Sequence, residues 1–218
     1  MNQANRRGRF IAFEGGEGAG KSTQARLLAE ALRARGIEVD VTREPGGTSG
    51  AESVRALLLD PPEGSPWGPQ AEALLFAAAR SDHVSKRIRP AIARGAWVVC
   101  DRFVDSSRAY QGGAGALGDE AINALHRFGS AGLRPDLTIL VEASPDRAAE
   151  RLLARDGGEM DAIEGRGPSY HAQVAASFRA LAEADPDGFA IIDGDGGAEE
   201  VHQQIVKAIE SRLGISTE

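Results

Sequence analysis

Residues 15 to 22 read Gly-Gly-Glu-Gly-Ala-Gly-Lys-Ser, a full match to the pattern G-x-x-x-x-G-K-[ST]. Its flanks limit what the chain can fold into. Phe10-Ile11-Ala12-Phe13 is a short apolar run that predicts a buried strand. Thr23 to Arg35 predicts a helix, with Leu28, Ala31, Leu32 and Arg35 along one side and Gly36 as its stop. In a strand, glycine loop and helix of this kind, backbone N–H groups turn toward phosphate oxygens and the positive end of the helix dipole faces them. Gly15, Gly16, Glu17, Gly18, Ala19, Gly20, Lys21, Ser22 and Thr23 then form a phosphate cradle, with Lys21 reaching the outer phosphates and Ser22 binding Mg²⁺. A tight glycine turn that happens to contain Lys-Ser is the alternative, and the flanks argue against it.

The rest of the chain repeats the strand–helix alternation. Strands are predicted over 9–14, 38–43, 96–101, 137–142 and 189–193, with helical stretches between them. That order implies α/β architecture: a five-stranded parallel sheet covered by helices on both faces, in one domain of 218 residues. Ligands in such sheets gather at the carboxyl ends of the strands. Arg43-Glu44, Asp101-Arg102 and Glu142 stand there. Asp60 to Pro69 reads as a loop. Asp156 to Pro168, between helices 145–155 and 169–184, is Gly-rich and charged; it is a lid or an ordinary solvated connector, and sequence alone leaves both open.

A net charge of −7 argues against nucleic acid as a partner through bulk electrostatics. No apolar stretch reaches transmembrane length, so no membrane partner is expected. Arg6, Arg7 and Arg9 precede an apolar run too short for a signal peptide. Residues 1–8 are expected to be a flexible tail. The lone Cys100, inside Trp97-Val98-Val99-Cys100, reads as a buried small hydrophobe rather than a catalytic thiol. A cytoplasmic, reducing setting fits.

Several residues point to chemistry. Val98-Val99-Cys100-Asp101 is an apolar strand ending in an acid, the expected complement of a phosphate loop, with Asp101 steadying Mg²⁺. Arg102 follows; its planar fork suits a phosphoryl group, or else a surface salt bridge. Arg43-Glu44-Pro45-Gly46-Gly47-Thr48 sets a guanidinium before a turn, for a second phosphorylated ligand or for solvent. Phe76 and Arg80 share a face of the helical run Gln70 to Lys86, which suits a base pocket, although a Phe in an Ala/Leu-rich helix also suits a core. Glu17, beside the phosphates, needs a cationic or hydroxyl partner unless it points outward.

Together these residues resemble the thymidylate kinase family of nucleoside-monophosphate kinases. The resemblance rests on Phe13-Glu14-Gly15 through Ser22-Thr23, Arg43 to Thr48, Leu74-Leu75-Phe76-Ala77-Ala78 with Arg80, Asp101-Arg102-Phe103 with Ser106-Ser107 and Ala109-Tyr110-Gln111-Gly112, and Pro135-Asp136-Leu137. The Arg-Glu-Pro-Gly-Gly-Thr stretch is the most specific. The resemblance implies a three-layer P-loop NTPase fold with a lid at about 151–168, and transfer of a phosphoryl group from ATP to dTMP with Mg²⁺. It implies that Arg43 and Arg102 hold the dTMP phosphate and that Phe76 stacks on thymine. Arg80 and Ser107 address the base's polar edge, Tyr110 crowds the sugar beside Gln111, and Glu17 lies near sugar and phosphate. Lys21, Glu17, Arg102 and a lid arginine are the catalytic set, and the protein is a homodimer packed through helices.

This chain departs from the family's arginine pattern. Gly18 stands where some members carry a basic loop residue. Gly157 and Ala162 stand where lid arginines are common, and the glycine loop 112–118 lacks an arginine near Gly115. Arg155 matches a lid position, with Arg151 and Arg166 as alternatives. A kinase for another nucleoside monophosphate differs only in the pocket of Phe76, Arg80, Ser107 and Tyr110. A P-loop switch of the guanine type is disfavoured, because no Asn-Lys-x-Asp occurs.

Overall fold

The computed structural model describes residues 7–61, 66–156, 163 and 165–214, the side chains of Arg155 and Asp156 excepted. Five strands, β1 (Phe10–Glu14), β2 (Val39–Arg43), β3 (Trp97–Asp101), β4 (Leu137–Glu142) and β5 (Phe189–Asp193), form one parallel sheet in the order β2-β3-β1-β4-β5. All five predicted strands are present within a residue of their expected bounds. β1 is central, and its side chains alternate between two cores. Ile11 and Phe13 meet α1 (Lys21–Ala34) and α9 (Ala198–Leu213) through Leu28, Leu32, Val201, Ile205 and Ile209. Phe10 and Ala12 face the other way, onto Val84, Ile88, Ile92, Phe103 and Val104. Helices therefore cover both faces, and every crossover returns the chain to the same end of the sheet. That brings the strand ends, and the loops after β1, β2 and β3, to one rim.

The remaining helices are α2 (Ser49–Leu59), α3 (Pro69–His83), α4 (Arg89–Ala93), α5 (Val104–Ser107), α6 (Asp119–Ser130), α7 (Pro145–Asp156) and α8 (Pro168–Ala184). Thr48 caps α2, its Oγ1 accepting from Ala51 N at 3.2 Å. Several expectations need correction. Arg35 is exposed and lies past the end of α1, off the buried face of Leu28 and Leu32. The run Gln70 to Lys86 is not one regular helix: α3 passes into a wide π-helical turn, Val84–Ile88, before α4. The expected glycine loop 112–118 begins as the end of a second wide turn, Arg108–Ala114, continuous with α5. Gly8 is not part of a free tail; it is buried, and its N–H donates to Ile92 O at 3.1 Å. Residues 1–6 lie outside the described residues. The expected lid span starts inside α7, which runs to Asp156; of the rest, 157–162 and 164 lie outside the described residues. Among the described residues no helix is long and apolar enough to cross a membrane.

Candidate active site

A cleft of about 1170 Å³ opens along the rim. Glu17 to Gln24 line one side, and Arg43, Phe76, Arg102, Ser107, Tyr110 and Gln111 the other. The loop between β1 and α1 is wrapped tightly. Gly18 has φ +70, and a Cβ there would collide with the carbonyl oxygen of Ala148 in α7. A basic side chain at this position is thus excluded by how closely α7 sits on the loop. Lys21 opens α1 and is buried; its Nζ donates to Gly16 O at 2.6 Å. Burial, then the nearby charge of Arg102, lowers its pKa.

Asp101 ends β3 beside the loop. Ser22 Oγ donates to Asp101 Oδ2, while Asp101 Oδ1 is buried without a hydrogen-bond partner among the described residues. An orphaned carboxylate oxygen next to a hydroxyl fits a hard cation that completes its shell with phosphate oxygens and water. Among the described residues there is no cluster of three or more acidic, His or Cys groups that could hold a metal ion.

Arg102 joins the two sides. Its φ is +68, a conformation rare for a side-chain-bearing residue, and its N–H is fixed to Phe13 O at 2.8 Å. The guanidinium donates to Glu17 at 2.5 Å, to Gly15 O at 3.0 Å and to Ser106 Oγ at 3.1 Å, and lies 5.2 Å from the centre of the Tyr110 ring. Tyr110 donates to the same Glu17 oxygen at 3.0 Å. Glu17 therefore has both a cationic and a hydroxyl partner. Burial pushes its pKa up, but Arg102, Lys21 and these hydrogen bonds outweigh that and hold it at about 2. Burial raises Tyr110, so its hydroxyl stays a donor.

The side of the cleft facing the loop is assembled from β2, α3 and α5. Arg43 ends β2 with its side chain more than half exposed at the cleft, paired with Glu52 at 3.2 Å. Phe76 is half-buried and lines the cleft, so it is a wall and not core. Arg80 sits behind that wall, 3 % exposed, with Nε on Glu44 at 2.7 Å and Nη2 on Ser107 Oγ at 2.8 Å and Phe103 O at 3.3 Å. Nη1 has no partner among the described residues. Gln111 is fixed by Glu72, to which it donates at 2.8 Å.

The lid arginines separate. The side chain of Arg155 lies outside the described residues. Arg151 donates to Ala19 O at 3.2 Å, Gly194 O at 2.8 Å and Gly196 O at 3.2 Å, so it stands over the glycine loop where it lines the cleft. Arg166 is directed elsewhere: it pairs with Glu72 and donates to Tyr170 at 2.6 Å, next to a smaller cavity lined by Leu58, Pro61 and Trp67. Sequence reasoning missed Glu72 as a site residue and placed Glu44 at a strand end without its Arg80 and His83 partners. Glu72 carried a signal, because Glu72, Phe76 and Arg80 recur every four residues and share one helix face.

Glu14, at the end of β1, supports this arrangement from beneath. It is fully buried and accepts from Phe103 N at 2.8 Å, Ser106 N at 3.0 Å and Ser106 Oγ at 2.6 Å. Burial, and then Asp105, raises its pKa to about 7. A carboxyl whose folded pKa lies above its unfolded value binds protons more readily when folded, so stability falls as pH rises from about 4.5 to 7. Glu14→Gln, which keeps the shape without ionising, should remove that slope. Melting temperatures of the two proteins from pH 5 to 8 test this; parallel curves would contradict it.

A phosphate loop, a cation-competent Ser22–Asp101 pair and a separate arginine-lined pocket facing them define a P-loop phosphotransferase with two ligand sites. The sequence model of the thymidylate kinase family matches residues 13–205. The thymidylate kinase of Rhizorhabdus wittichii is 53% identical over 208 residues, covering 94% of this chain and 99% of that protein. Those of Rhodopseudomonas palustris strain TIE-1 and Chromohalobacter salexigens are 47% and 48% identical, covering 95% and 94% of this chain and 90% and 97% of theirs. The chain belongs to the thymidylate kinase family.

Proposed function

We infer that this protein transfers a phosphoryl group from ATP to dTMP, giving dTDP and ADP. The observation that supports this most is the Arg102–Glu17 pair, which ties the phosphate loop to the acceptor pocket inside one cleft. The reaction needs alignment and charge neutralisation more than covalent chemistry. Lys21 and the loop N–H groups bind the donor phosphates, and Arg151 covers the donor end. Ser22 and Asp101 would hold Mg²⁺, which when bound neutralises charge on the phosphates. Arg43 and Arg102 grip the dTMP phosphate, Phe76 supports the base, Arg80 and Ser107 meet its polar edge, and Tyr110 with Gln111 closes the sugar side. Glu17, ionised and held by Arg102 and Tyr110, fixes Arg102 where the two phosphates meet. Arg155 remains our candidate for the lid cation. With its single cysteine buried and reduced, the protein fits the cytoplasm.

ATP, Mg²⁺ and a panel of monophosphates test the assignment. ADP should form fastest with dTMP, and dUMP should be slower by about 10–200-fold, the discrimination available from one methyl group. Faster turnover of dAMP or CMP would overturn the thymidylate assignment. ADP release independent of any monophosphate would favour a hydrolytic switch.

We also propose that the protein is a homodimer packed through α3 and α6. These helices lie side by side, Gly129 against Ser81 and Ala77, and Phe128 is 94% exposed with Leu74 56% exposed. An isolated Phe so exposed costs apolar hydration that a partner would remove. Phe128→Glu should shift the protein to monomer in sedimentation velocity without lowering the melting temperature of the monomer. An unchanged sedimentation coefficient would refute this interface.

A further inference from the structure

Behind the base pocket a line of buried polar groups crosses three elements. Thr42 lies in β2, Glu44 just past its end, and His83 at the end of α3. Thr42 Oγ1 is 2.7 Å from His83 Nε2, and His83 Nδ1 is 3.0 Å from Glu44 Oε1. Glu44 Oε2 accepts from Arg80 Nε at 2.7 Å, and Arg80 Nη2 continues to Ser107 Oγ at 2.8 Å. His83 is 0% exposed. Ser107 and Glu44 line the cleft, whereas His83 does not. A carboxylate only accepts, so the bond between His83 and Glu44 places a proton on Nδ1.

The geometry of the Glu44–Arg80 pair is informative. A guanidinium and a carboxylate favour two parallel hydrogen bonds. Here there is one, from Nε to Oε2, while His83 meets Oε1. The guanidinium is thereby left with Nη2 on Ser107 and Nη1 without a partner among the described residues. The turn after β2 is built against this line. Gly47 has φ +88, and a Cβ there would stand 2.5 Å from both His83 Nε2 and Thr42 Oγ1. Arg87 holds that turn down, donating to Gly47 O at 3.0 Å.

We propose that His83 is a positioning residue for pyrimidine recognition: its bond to Oε1 of Glu44 fixes the plane of that carboxylate so that Arg80 meets it through Nε alone, which keeps the Arg80 fork on Ser107 at the base edge. This rests on the reading of the pocket as a dTMP site. Without the Nδ1 donor, Glu44 takes both Nε and Nη2, and the fork turns away from Ser107.

The test compares His83→Leu with His83→Asn, whose amide N–H can replace Nδ1–H. Loss of a hydrogen bond to a charged group predicts that His83→Leu raises KM for dTMP by roughly tenfold or more, with KM for ATP unchanged within about twofold. Preference for dTMP over 5-methyl-dCMP, which offers an amino donor where thymine offers an acceptor, should narrow by a similar factor. His83→Asn should restore both values to within about threefold of wild type. Equal effects of Leu and Asn, equal shifts in both nucleotides, or an unchanged base preference would each overturn the proposal. A wild-type protein with no preference for dTMP over 5-methyl-dCMP would instead overturn the dTMP reading and this proposal with it. Nitrogen-15 NMR of the wild type, with only four histidines to assign, needs no variant to fold. A proton on Nδ1 of His83 is expected, and an unprotonated Nδ1 would overturn the assignment.

Discussion

Lys21→Ala should lower kcat by about 10²–10³-fold, the cost of removing one preorganised charged donor from a developing phosphoryl charge. The ligand-free protein should melt within a few degrees of wild type. The two expectations have one cause. Lys21 is buried at the start of α1, where burial and the Arg102 charge both disfavour its ammonium, and in the ligand-free protein Nζ is answered by the Gly16 carbonyl, with Glu17 and Asp101 nearby. Its charge is held against desolvation for a ligand, so deleting it relieves a cost while removing the function. The stabilisation that saturating ATP gives to wild type should largely disappear in the variant. A variant that melts much earlier yet turns over normally would assign Lys21 to the fold.

The same trade between local stability and ligand binding explains what the sequence disclosed. The five strands were legible because parallel strands are buried on both faces and read as continuous apolar runs. Lys21, Ser22 and Asp101 were legible because the fold keeps phosphate chemistry at strand ends. The wide turns at Val84–Ile88 and Arg108–Ala114 left no mark, since one extra residue shifts the apolar phase over a single turn, too short a stretch to read from spacing. Phe76 was ambiguous because helical spacing places it on a face without saying whether that face meets core or cleft. The partners of Arg80 and Gln111 were hidden for another reason. Glu44 lies 36 residues from Arg80 and Glu72 lies 39 from Gln111, and only tertiary packing brings them together. Arg166 illustrates the limit: its charge and its place in the expected lid suggested the phosphates, yet the start of α8 turns it onto Glu72.

Arg102→Ala is the other variant with a large expected effect, and its consequences can be separated. Arg102 is fixed at φ +68 by its N–H bond to Phe13 O, so its side chain has little freedom to be elsewhere. Removing the guanidinium withdraws a phosphate ligand and should lower kcat/KM for dTMP by about 10²–10³-fold. It also strips Glu17 of its main cationic partner. In wild type the folded pKa of Glu17 is about 2, below its unfolded value of 4.5, so its stabilising contribution is present above about pH 4.5 and is lost as pH falls toward 2. That difference corresponds to about 3 kcal/mol at neutral pH. In Arg102→Ala, burial still raises the Glu17 pKa while the strongest opposing charge is gone. The ionised carboxylate then becomes a liability at neutral pH, and on acidification from pH 7 to 5 the variant should gain more stability than wild type, whose gain there comes from Glu14 alone. Adding Glu17→Gln should recover most of the lost melting temperature at pH 7, because it removes the unpaired charge. It should not recover dTMP turnover, because the phosphate ligand is still missing. Melting curves at pH 5 and 7 with dTMP kinetics for the two single variants and the double variant complete the cycle. If Glu17→Gln fails to restore stability in the Arg102→Ala background, the pair does not hold Glu17 ionised; if it restores turnover, Arg102 acts on Glu17 alone and not on the acceptor phosphate.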